Sequence, residues 1–113
     1  MAESNTLKTL TSTVNALRGR FTRATNVLNA FIETINTADP VSYAFADELS
    51  NKKAQFENAY NRVNDALESI ITADPDKSDT YDRYLDDITK RYTDAGQSHL
   101  QAMARLEMVR KRS

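Results

Sequence analysis

The sequence has no cysteine among its 113 residues, and only two glycines and two prolines. Without cysteine there is no disulfide, no thiolate metal site and no cysteine nucleophile. Strand-rich folds need many turns, so this scarcity of Gly and Pro points to a few long helices. No apolar run approaches the roughly 18–20 residues of a membrane span, and no signal-peptide core opens the chain. No Asn-x-Ser/Thr acceptor occurs either. These absences suggest a soluble, intracellular, cytoplasmic protein, and the length suits one domain, residues 1–113, around one core.

Catalytic signatures are also missing. There is no Gly-rich phosphate loop, nucleophile elbow or HExxH pair. His99 is the sole histidine, and one His without Cys cannot build a standard zinc site. It falls on a helical seam, where an edge-of-core histidine bonded to a backbone or carboxylate group is expected. Asp74-Pro75-Asp76-Lys77-Ser78 imitates the start of an EF-hand loop. Asp79 stands where that loop needs its turn glycine, and Leu85 where it needs a bidentate Glu. Asp79, Asp82 and Asp86 share a helix face and read as solvated acids that suit a helix N-terminus. The expectation is no enzyme, no metal and no cofactor. Net charge is −1. Residues 39–74 hold the acidic excess, with three basic and seven acidic groups, which is not the charge of a dedicated nucleic-acid binder.

What is present is long-range periodicity cut by two matching marks, Ile35-Asn36-Thr37-Ala38-Asp39-Pro40 and Ile70-Ile71-Thr72-Ala73-Asp74-Pro75. Asp caps a helix start, Pro fits the first helical position, and the residue before Pro ends the preceding helix. Helices are therefore predicted over about 5–37, 40–73 and 79–110, each about 45 Å long. The first carries Leu7, Leu10, Val14, Leu17, Phe21, Ala24, Leu28, Phe31 and Ile35 in alternating steps of three and four, with Val27 and Ile32 flanking. The second carries Phe45, Leu49, Phe56, Tyr60, Val63, Leu67 and Ile70, interrupted by Lys53. The third carries Tyr81, Leu85, Ile88, Tyr92, Ala95, His99, Ala102, Leu106 and Val109, widened by Tyr84, Leu100 and Met103. These are heptad seams. Short connections make neighbouring helices antiparallel, so the predicted fold is an all-α, elongated, antiparallel three-helix bundle. Apolar residues beyond the seams, Tyr84, Leu100 and Met103 among them, are candidates for an exposed interaction patch.

One segment breaks the pattern. In Leu17-Arg18-Gly19-Arg20-Phe21-Thr22-Arg23, Gly19 sits mid-helix at a cost of about 1 kcal/mol relative to Ala. Heptad position places it on the outward face. Arg18, Arg20 and Arg23 surround it and would form a docking patch for an acidic partner or a phosphate backbone. Arg110, Lys111 and Arg112 suit the negative end of a helix or open a basic segment of a longer protein.

The run from Leu17 to Phe31 resembles the Gag-like N-terminal helical region of Bel/Pao-type retrotransposon polyproteins. The Arg-Gly element followed by Thr-Arg carries the resemblance. Leu49, Phe56 and Glu57 echo that family's second helix, and Asp82, Asp86, Asp87 and Tyr92 its third. The resemblance implies a structural role in assembly, as an excised N-terminal domain or a domesticated descendant. The functional expectation is a non-enzymatic protein-interaction domain that self-associates or binds a helical protein through Arg18, Gly19, Arg20, Arg23, Tyr84, Leu100 and Met103. The alternative is a nucleic-acid-binding accessory domain using Arg18, Arg20, Arg23, Arg110, Lys111 and Arg112.

Overall fold

The computed structural model describes residues 2–112, with side chains from Thr6 to Arg112. Three helices account for nearly all of it: α1 (Ala2–Thr37), α2 (Phe45–Ala73) and α3 (Ser78–Arg112), with a 3-10 turn at Pro75–Lys77 leading into α3. Side-chain meetings set the directions. Phe31 meets Phe45 and Phe21 meets Phe56, so α1 and α2 run antiparallel. Arg18 meets Tyr84 and Arg105 meets Asn36, so α3 runs back alongside α1 in the same sense. The result is the expected three-helix bundle, a rod of 64 × 20 × 18 Å.

The seams form the core, with one adjustment on α1, where the seam residue Ala24 is only half-buried and does not join it. Val14, Phe21, Leu28 and Ile35 of α1 are buried, as are Leu49, Phe56, Val63, Leu67 and Ile70 of α2 and Tyr81, Ile88, Ala95, Ala102 and Leu106 of α3. Ile32, expected beside the α1 seam, is also core, and Thr25 is buried with it. A straight helix drifts by about 20° per heptad relative to a strict seven-residue repeat, so over its length α1 rolls these two positions inward. Thr25 brings no unpaired polar group, because its hydroxyl donates to the Phe21 carbonyl at 2.8 Å. At mid-height Phe56 stacks between Phe21 (5.6 Å) and Tyr92 (5.3 Å), and Tyr60 lies on Tyr92 at 4.0 Å. All three helices thus contribute a ring to one stack. Lys53, the break in the α2 seam, is half-buried and forms an ion pair with Glu57 one turn on.

The two Asp-Pro marks do different things. Asp74-Pro75 opens a helical turn, of 3-10 type, and the Asp74 carboxylate accepts from the Tyr81 hydroxyl at 3.1 Å instead of capping. Asp39-Pro40 opens nothing. Its peptide bond is cis, Pro40 lies outside any helix, and α2 begins at Phe45 and not at residue 40. The chain must cross the end of the bundle before turning into α2, and in doing so it lays Val41 against the core. The Ser42 hydroxyl accepts the Ala44 N–H at 3.1 Å at that turn. The outer ends differ by a few residues, with α1 already formed at Ala2 and α3 spanning Ser78–Arg112.

Candidate interaction site

The Arg-Gly segment lies on α1 level with the first half of α3. Residues two apart on a helix point about 200° apart, and the three arginines separate accordingly. Arg18 faces α3, half-buried, with its guanidinium carbon 3.6 Å from the centroid of the Tyr84 ring. That cation–π contact takes Arg18 and Tyr84 out of the expected shared patch and into the α1–α3 contact. Arg20 and Arg23 are exposed.

Gly19 is half-buried and lines a groove with Asp87, Ile88 and Arg91 of α3, so it does not lie on the outward face that its heptad position predicted. A Cβ built on it would meet only the tip of Arg23, at an ordinary 3.6 Å, and nothing from α2 or α3. Packing within the bundle therefore gives no reason for a glycine there. Gly96 in α3, passed over by the sequence reading, shares this property, since a Cβ there meets nothing within 4 Å.

The apolar candidates divide. Leu100 is the most exposed, at 67 %. Met103 is half-buried and packs on the core, as Tyr84 does. The other exposed large apolar residues are Val27, Tyr43 and Met108, spread over three different segments. The apolar surplus expected on α1 and α3 is thus largely absorbed by packing, because each helix contacts two neighbours. Scattered single residues of this kind are normal on a protein surface.

At the other end of the rod, Arg110 pairs with Glu107 at 2.9 Å and its guanidinium lies 5.9 Å from the Tyr43 ring centroid. Lys111 and Arg112 are exposed. Arg105, missed by the sequence reading, donates to the Asn36 carbonyl at 2.6 Å and the Ala38 carbonyl at 3.0 Å. It satisfies carbonyls that the end of α1 leaves open. A signal for it existed, since Tyr84, Arg91, Ser98 and Arg105 recur every seven residues on the α3 face toward α1.

His99 is half-buried between α2 and α3. Burial, and then the Lys53 ammonium, lower its pKa from the ordinary value, while Glu57 pulls the other way. The expected hydrogen bond to a backbone or carboxylate group is not formed among the described residues. Among these residues no three His, Cys, Asp or Glu side chains cluster as a metal site, and no helix is long and apolar enough to cross a membrane. No protein-family model, no curated protein and no solved structure matches this chain.

Proposed function

We propose that the chain is a non-enzymatic protein-interaction and assembly domain of Gag-like type, using the surface of α1 that runs from the groove at Gly19 to the exposed Arg20 and Arg23. Gly19 is the observation that carries this reading. A mid-helix glycine costs about 1 kcal/mol relative to Ala, and neither packing nor backbone conformation inside the bundle needs it. Its use therefore lies outside the bundle, where a missing side chain lets a partner backbone come close. Arg20 and Arg23 add two cationic groups suited to an acidic helical segment. The nucleic-acid alternative loses support because Arg18 is engaged by Tyr84 and Arg110 by Glu107.

The test is Gly19→Ala. The folded chain should be as stable as the parent or up to about 1 kcal/mol more so. Recovery of partner proteins in pull-downs, quantified against the parent chain at physiological and high salt, should fall. A variant that folds normally and retains its partners at parental yield overturns the reading.

A further inference from the structure

The two ends of the rod are chemically unlike. At one end, where the α1–α2 connection meets the end of α3, lies a cleft of about 480 Å³. Pro40, Val41, Met108 and Val109 give it an apolar lining, and Met108 is 56 % exposed. Arg105 and Arg112 line it too, against a single carboxylate, Asp39. Arg105 is held by the α1 carbonyls and Glu107 by Arg110. Lys111 and Arg112 remain exposed and form no ion pair among the described residues. Among the described residues this end therefore offers an apolar surface with an excess of positive charge.

The opposite end, where α2 passes into α3, offers the complement. Pro75 is exposed in the 3-10 turn between Asp74 and Asp76. Asp76, Asp79 and Asp82 are exposed and form no ion pair among the described residues, and Lys77 is the one cation of the turn. An apolar ring flanked by carboxylates is what the cleft at the far end would accept.

We infer that the chain assembles head to tail, with the Asp74–Asp79 turn of one copy seated in the cleft beside Arg112 of the next. Pro75 lies on Val41 and Met108, and Asp76 and Asp79 face Lys111 and Arg112. The contact joins two different surfaces at opposite ends of a 64 Å axis. Such a heterologous contact between straight rods leaves one end of each kind free and so propagates. The charges are exposed, so salt should weaken the contact. This goes beyond the α1 face proposed above and uses none of its residues.

Sedimentation of the full chain at low salt, from micromolar to millimolar, tests it. Average mass should climb past that of a dimer with concentration and fall back when salt is added. Two neutralised variants, Asp76→Asn/Asp79→Asn and Lys111→Gln/Arg112→Gln, alter solvent-exposed groups at or next to the ends of α3 and should keep the helical content of the parent while melting slightly earlier. Each alone should assemble several-fold more weakly. Mixed in equal amounts they should form dimers that grow no further, because each supplies the end the other lacks. A parent chain that stays monomeric or stops at dimers overturns the inference. So do variants that assemble as the parent does, or a mixture no heavier than its components. Gly19→Ala should leave this growth unchanged, so failure of the end contact and failure of the α1-face reading are separately visible.

Discussion

Phe56 shows how much one side chain carries in this fold. It is fully buried and stacks on rings from both other helices. Phe56→Ala should cost about 3–5 kcal/mol and Leu67→Ala about 2–5 kcal/mol, as lost transfer energy plus a cavity. Small domains have about 5–15 kcal/mol in all, so urea midpoints should drop sharply for both. Parental midpoints would mean α2 does not face the core as described. His99 gives a pH-dependent counterpart. Its pKa is lowered in the folded chain, first by burial and then by Lys53. The folded state therefore favours the neutral imidazole. That stabilisation is complete above the unfolded pKa of about 6.5 and is lost as pH falls through the lower folded value. Between about pH 7.5 and pH 5 the parent should lose more stability than His99→Gln, measured by urea unfolding. Equal losses would remove His99 from the acid response.

At the scale of elements, α1 depends most on its surroundings. It is rich in Thr, and Thr22, Thr25, Thr34 and Thr37 turn their hydroxyls back onto carbonyls four residues earlier. Such residues are mediocre helix formers, so α1 relies on tertiary contacts, and Arg105 supplies one at its C-terminus. Arg105→Met keeps the aliphatic stem but deletes two charge-assisted hydrogen bonds. The side chain is half-exposed, which limits the loss to about 1–2 kcal/mol. Hydrogen exchange of the Asn36–Ala38 amides should accelerate more than that of mid-helix amides. Uniform acceleration would show that Arg105 acts on global stability alone.

For the whole molecule, shape sets the relation between core and surface. The radius of gyration is 17.8 Å, against about 13 Å for a compact domain of this length. The accessible surface is 7395 Å², where about 6300 Å² is usual for a monomer of this mass. A rod has more surface to offer partners and a thinner core to stabilise it. X-ray scattering at high salt, where end contacts are weakened, should give an elongated particle about one rod long, and a globular profile would contradict the fold.

Much of this fold was legible in the sequence. The seams in Phe21, Phe56 and Ile88 follow from helical periodicity alone, because burying an apolar stripe is local in pattern and needs no knowledge of the neighbour. Gly19 was legible as an anomaly for the same reason, since its cost is a property of the helix itself. Tertiary structure decided the rest. It moved the start of α2 to Phe45, because the geometry of crossing the bundle end outweighs an Asp-Pro signal. It drew Ile32 inward, because a straight helix rolls against two neighbours. It divided Arg18 from Arg20 and Arg23, because cation–π contact with Tyr84 depends on which helix lies alongside. Sequence states which groups each helix can present; only packing states which of them are already taken.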